Sequence, residues 1–86
     1  MTTTPSGAEL KAGRTLLGLS QKQVADALHI SVDSLWRAER GLPGSQRTQH
    51  QLRGLLMRNG IVFSPNGVRR SDDAGQEYRA WLQRWR

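Results

Sequence analysis

The sequence predicts an all-α fold, a small bundle of four to five short helices, with a short β-hairpin near its carboxyl end. Ser6, Ser20 and Ser31 each precede a short segment with apolar residues at helical spacing, and serine is a preferred helix N-cap. Glycines follow three of the predicted helices, as is common at helix C-termini. With only 86 residues the chain has room for one small core, so a large enclosed substrate cavity is not expected.

The first helix is predicted to begin after Ser6, which forms a capping box with Glu9, and to stop at Gly18. Its apolar stripe is predicted to be Leu10, Leu16 and Leu17. A glycine in the interior, Gly13, should cost about 1 kcal/mol relative to alanine.

The second helix follows a second cap pair, Ser20 with Gln23, and ends near His29. Its buried face is predicted to hold Val24, Ala25 and Leu28. The third helix runs from Val32 to Arg40 behind the cap Ser31 and is closed by Gly41; its inward residues are Leu35 and Ala38.

A fourth helix is predicted over residues 45–59, with Leu52, Leu55, Leu56 and Met57 on its apolar side. A β-hairpin is predicted at residues 61–63 and 68–70, which are joined by the turn Ser64-Pro65-Asn66-Gly67. A last helix begins after Ser71 and carries one apolar stripe, made of Ala74, Tyr78, Trp81, Leu82 and Trp85.

The second and third helices are joined by a short turn, and small Ala25 allows them to cross closely. This is the pattern of a helix-turn-helix. The sequence resembles the Cro and phage-repressor (XRE-like) family of transcriptional regulators. The resemblance rests on the motifs LLGLSQ at 16–21, VADAL at 24–28, Ile30-Ser31, Leu35 and RAERG at 37–41. The resemblance covers residues 8–59. His29 departs from it, since the family usually has glycine at this turn position, where φ tends to be positive.

The resemblance implies a Cro/lambda-repressor-like bundle and a set of DNA contacts. Base contacts are expected from Val32, Asp33, Trp36 and Arg37 on the third helix. Phosphate contacts are expected from Gln21, Lys22, Ser31, Arg40, Gln46 and Arg47. Arg14 and Glu39 are expected to form a partly buried ion pair. Two readings of Trp36 stay open, a DNA contact and a core residue, and Asp33 is as well suited to a helix cap.

The charge distribution agrees with an anionic partner. The formal net charge is +6, and residues 31–70 carry five of these six charges, with seven arginines and two acidic residues. A localised basic segment favours phosphate binding because neutralised phosphates release counterions; the alternative is an ordinary solvated surface.

The sequence offers little for catalysis. The two histidines and the acidic residues form no cluster with enough ligands for zinc, and no phosphate-binding glycine loop or nucleophile elbow is present. We therefore expect no enzyme activity, metal or cofactor. The absence of cysteine, signal peptide and membrane-spanning stretch makes the cytoplasm the expected compartment.

These observations divide the chain into a disordered arm (1–5), a DNA-binding domain (6–59) and a segment 60–86 that is a candidate for dimerisation. The candidate interface residues are Ile61, Val62, Phe63, Tyr78, Trp81 and Trp85. We expect a repressor that binds a palindromic operator as a homodimer. Three alternatives remain: the aromatic stripe completes the core of one chain, the terminal helix binds a partner protein as in antitoxins, or the protein binds nucleic acid or anionic membranes nonspecifically.

Overall fold

A computed structural model describes residues 5–71 and consists of four helices followed by a two-stranded antiparallel hairpin. The helices are α1 (Gly7–Leu16), α2 (Gln21–Leu28), α3 (Val32–Glu39) and α4 (Gln46–Arg58), and the strands are β1 (Ile61–Ser64) and β2 (Gly67–Arg70). The mostly helical architecture and the hairpin agree with the predicted class. The predicted fifth helix and most of the amino-terminal arm lie outside the described residues.

The first three helices begin where the serine caps predict. The hydroxyls of Ser6, Ser20 and Ser31 each accept the backbone N–H three residues later, and the first two form complete capping boxes. The fourth helix begins after Ser45, whose hydroxyl instead donates to the carbonyl of Leu42 at 2.5 Å. The amino end of α4 therefore has no side-chain cap.

The core lies where α1, α2, α3 and α4 meet, and β1 closes one side of it. Its buried members are Leu10, Val24, Ala25, Leu35, Leu52, Leu55, Leu56 and Ile61. The prediction that Leu16 belongs to the apolar stripe of α1 is wrong, because 47% of this residue is exposed. The core face of α1 instead passes through Leu10 and Gly13, and Leu17 packs at its edge.

Two glycines allow α1 to approach its neighbours. A Cβ at Gly7 would lie 2.6 Å from the backbone oxygen of Glu39, and one at Gly13 would lie 3.1 Å from Leu56 Cδ1. Both contacts are closer than a side chain normally permits. Gly13 is therefore a packing residue, and helix propensity alone does not account for it.

The hairpin pairs Ile61 with Arg70 and Ser64 with Gly67, which leaves Pro65 and Asn66 as its turn. Ser71 follows β2, and its N–H donates to the carbonyl of Gly60 at 2.6 Å. The hairpin is thus closed at both ends, and β2 lies against α1.

Candidate nucleic-acid interface

Helix α3 has a buried inner face and an exposed outer face. Leu35 and Ala38 are fully buried, whereas the four residues predicted to contact bases, Val32, Asp33, Trp36 and Arg37, are all exposed. Val32 and Trp36 are each 43% exposed. Trp36 is therefore a surface residue, and the alternative that it belongs to the core is wrong.

The turn before α3 fixes the direction of this helix. His29 adopts the left-handed conformation, with φ 58° and ψ 43°, as expected at a position that favours glycine. The N–H of Ile30 then donates to the carbonyl of Ala25 at 3.0 Å. Ser31 caps α3 through the N–H of Ser34 and also donates its hydroxyl to Ser34 Oγ at 2.9 Å. Residues 29–31 therefore connect the end of α2 to the start of α3.

The carboxylate of Glu39 anchors the other end of α3. It accepts two hydrogen bonds from Arg14, at 2.6 Å from Nε and 3.0 Å from Nη2, and a third at 3.0 Å from Gln21 Nε2. Arg14 also donates from Nη1 to the carbonyl of Leu19 at 2.9 Å. The side chains of Arg14 and Glu39 are 11% and 2% exposed, so this pair is shielded from solvent. The predicted Arg14–Glu39 ion pair is present and ties α1 to α3.

Gln21 belongs to the same network. Because its amide donates to Glu39, the structure places this side chain as a brace between the start of α2 and the end of α3. A half-buried residue at this point can still offer a backbone N–H to a phosphate at the amino end of α2. The bracing contact is therefore compatible with the expected phosphate contact.

Arg40 and Trp36 form a stacked pair on the exposed side of α3. The guanidinium carbon of Arg40 lies 4.7 Å from the centre of the Trp36 ring, which is cation–π geometry. Both residues line an open cleft of about 550 Å³ together with Lys11 and Gln21. Residues four apart share one helix face, so their spacing could have indicated this contact, which sequence reasoning missed.

A second cleft joins α3 to the amino end of α4. It is lined by Asp33, Arg37, Gly44 and Ser45, among others, and has a volume of about 260 Å³. The uncapped amino end of α4 and a predicted base-contact arginine therefore share one depression. Gln46 and Arg47 begin α4 there and are exposed, as their predicted phosphate contacts require.

Lys22 is exposed on α2. Its ammonium lies 3.5 Å from Asp26, one turn further along the helix, and both side chains are more than two-thirds exposed. Such a pair is weak and leaves the lysine available to another anion.

The hairpin residues predicted at a dimer interface differ in exposure. Ile61 is fully buried and Val62 is 7% exposed, so both side chains are enclosed within the protein. Phe63 is half-buried near Gly13. Of the predicted hairpin contacts, only Phe63 and the strand backbone offer a surface to a second copy. The other interface candidates, Tyr78, Trp81 and Trp85, lie outside the described residues.

Residues 5–71 contain no group of three or more histidine, aspartate or glutamate residues arranged to hold a metal ion. None of the helices in this part of the chain is both long and apolar enough to cross a membrane.

Comparison of the chain with protein-family models, curated proteins and solved structures finds no match.

Proposed function

We propose that this protein is a sequence-specific transcriptional regulator that binds duplex DNA through a Cro-like helix-turn-helix formed by α2 and α3. The observation that carries the proposal is the outer face of α3. Four side chains with distinct chemistry are exposed there, while the inner face is buried and both ends of the helix are fixed. A helix held at both ends, with one exposed face, suits the major groove, which is about 12 Å wide.

Each exposed residue can read a different feature of a base pair. Arg37 can donate two hydrogen bonds to guanine, and the methyl groups of Val32 can contact the methyl of thymine. Asp33 can accept from the amino group of cytosine. Arg40 lies over one face of the Trp36 ring. The edge of the indole is therefore available to contact sugars and bases.

Phosphate contacts are proposed around α3. They are assigned to the uncapped amino end of α4 and to the exposed or half-buried residues Gln21, Lys22, Ser31, Arg40 and Arg47. Backbone N–H groups at a helix start bind phosphate well because they have no partner within the helix. These contacts position the protein, whereas α3 supplies the specificity.

A homodimer on a palindromic operator follows from the same proposal. Two copies of α3 would occupy half-sites about 34 Å apart, with the contact between copies formed by the segment 60–86. Occlusion of a promoter would make the protein a repressor.

The proposal is tested by competition binding. A duplex recovered by selection from a random pool is labelled and titrated with protein in the presence of excess random-sequence duplex. The proposal requires the labelled duplex to stay bound at moderate salt. Equal competition by random duplex would identify a nonspecific binder and contradict the proposal.

The matched variants for this assay are Arg37→Ala and Arg58→Ala. Both remove one exposed arginine, but Arg58 ends α4, about 18 Å along the helix from its amino end. We expect Arg37→Ala to weaken binding to the selected duplex by at least tenfold and Arg58→Ala to change it little. Equal effects of the two variants would argue against readout by α3.

A further inference from the structure

The contact between Trp36 and Arg40 is built on the last turn of α3. The guanidinium carbon of Arg40 lies 4.7 Å from the centre of the Trp36 ring. The N–H of Arg40 donates to the carbonyl of Trp36 at 3.1 Å, so the helical backbone fixes the spacing of the two residues. The chain leaves the helix at the next residue, Gly41, which has φ 67°. The two side chains therefore meet on a regular turn at the end of the proposed recognition helix.

Within residues 5–71, Arg40 is stacked on the indole and is not paired with an acid. The salt bridges in this part of the chain are Arg14–Glu39 and Lys22–Asp26. Glu39 directly precedes Arg40, but its carboxylate is buried and accepts hydrogen bonds from Arg14 and Gln21. The neighbouring acid therefore does not draw the guanidinium of Arg40 away from the ring.

The Trp36 ring lies beside open space. It lines the cleft of about 550 Å³ together with Arg40, and Lys11 of α1 lines the same cleft. A side chain next to unfilled space can occupy more than one staggered rotamer. The contact with Arg40 favours one of them, since a cation–π contact at an exposed site raises the population of the stacked conformer by about two- to fivefold.

The orientation of the Trp36 ring matters for contact with DNA. An indole is large and flat and carries a single N–H donor, so the group that it touches depends on the direction of its edge. A ring that is already held in one rotamer also loses less conformational entropy when DNA binds. A residue that holds the ring therefore influences which base pair Trp36 favours.

We propose that Arg40 is a positioning residue that holds the indole of Trp36 and thereby sets the base preference at the position that Trp36 contacts. This inference rests on the proposed function and adds a second role for Arg40 to its phosphate contact. A phosphate contact needs only the positive charge, whereas the stack needs the planar guanidinium. Lysine keeps the charge and lacks the plane, so Arg40→Lys separates the two roles.

The first measurement is the affinity of the variants for the selected duplex and for its single-base substitutions. Trp36→Ala identifies the base position that Trp36 contacts as the position at which discrimination is lost. We expect Arg40→Lys to lower discrimination at that position by about two- to fivefold and to keep the slope of log K against log salt concentration. Arg40→Ala should lower the discrimination to the same extent and should also lower the slope by about 0.9.

The double variant and a matched control locate the effect in the stack. In the Trp36→Ala background, Arg40→Lys should change discrimination no further, because the ring that it positions is gone. Lys11→Ala removes a cation from the same cleft and leaves the stack intact, so it should keep the base preference. The proposal is overturned by parent-like discrimination with Arg40→Lys, by equal losses at all positions, or by an effect of Arg40→Lys that persists without Trp36.

A second measurement uses the full chain without DNA. The steady-state ¹⁵N heteronuclear NOE of the Trp36 indole N–H reports the order of the ring, and the resonance is assigned by its loss in Trp36→Phe. We expect the NOE to fall with Arg40→Lys and to stay unchanged with Lys11→Ala. An unchanged NOE with Arg40→Lys overturns the positioning role.

The two proposals fail in different ways. A parent protein that selects no duplex contradicts the proposed function, whatever the behaviour of the indole. A parent protein that selects a duplex and keeps its discrimination with Arg40→Lys contradicts the positioning role alone.

Discussion

At the scale of single residues, Glu39 has the greatest influence on the arrangement of the site. Its buried carboxylate accepts three hydrogen bonds from Arg14 and Gln21. These bonds join the carboxyl ends of α1 and α3 to the amino end of α2. Loss of the carboxylate leaves a shielded guanidinium without its counter-charge, which is far more unfavourable than the loss of an exposed pair.

Glu39→Ala is therefore expected to lower the free energy of unfolding by about 3 kcal/mol, as measured by urea denaturation. Asp26→Ala is the control, because it removes an acidic partner from the exposed pair with Lys22 and should cost less than about 1 kcal/mol. Coincident unfolding curves for Glu39→Ala and the parent protein would show that the pair has no structural role.

A second prediction at this scale concerns the two packing glycines. Gly7→Ala brings a Cβ within 2.6 Å of backbone oxygen, which cannot move without shifting α3, and should destabilise by about 3 kcal/mol. At Gly13 the nearest atom is a side-chain methyl at 3.1 Å, and the gain of about 1 kcal/mol in helix propensity offsets part of the clash. Thermal melts should rank Gly7→Ala as much the worse variant; the opposite order would contradict this packing.

At the scale of elements, the turn between α2 and α3 retains a strained residue. His29 has φ 58°, where a Cβ is unfavourable. His29→Gly should raise the free energy of unfolding by about 0.5 to 1 kcal/mol, since glycine relieves the strain but adds entropy to the unfolded chain. Gly18→Ala is the converse control at φ 70° with no neighbour within 4 Å, and it should be destabilising. A lower Tm for His29→Gly would show that the imidazole makes a stabilising contact.

The sequence was sufficient to predict the elements because their signals are local. Serine caps and the Pro65-Asn66 turn act over three or four residues, and each described element begins within about two residues of its predicted start. Leu16 was wrongly predicted as a core residue because leucines at helical spacing do not reveal which flank of a stripe meets a neighbour. The exposure of Trp36 and the role of Gly13 depend on packing between elements, which the sequence does not specify. The contact of Arg40 with Trp36 follows from their spacing of four residues.

At the scale of the whole molecule, the net charge of +6 is distributed unevenly along the chain. Arg14 is paired with Glu39, whereas Arg37, Arg40 and Arg47 are exposed on α3 and at the start of α4. This distribution agrees with the proposed DNA-binding surface around α3 and the start of α4.

Arg47→Ala is predicted to weaken DNA binding about equally for all sequences, because it removes a proposed phosphate contact. The slope of log K against log salt concentration should fall by about 0.9, the value for one phosphate on duplex DNA. Arg58→Ala, at the far end of α4, should leave the slope unchanged. Equal slopes for Arg47→Ala and the parent protein would remove Arg47 from the phosphate contacts.

The central claim, that α3 reads base sequence, is tested most directly by selection of duplexes from a random pool with the parent protein and with Arg37→Ala. The proposed function predicts that the parent protein selects a two-fold symmetric sequence. It also predicts that Arg37→Ala loses the preference for guanine at one position of each half-site and retains the others. Selection of no sequence by the parent protein, or an unchanged preference at every position with Arg37→Ala, would contradict the account.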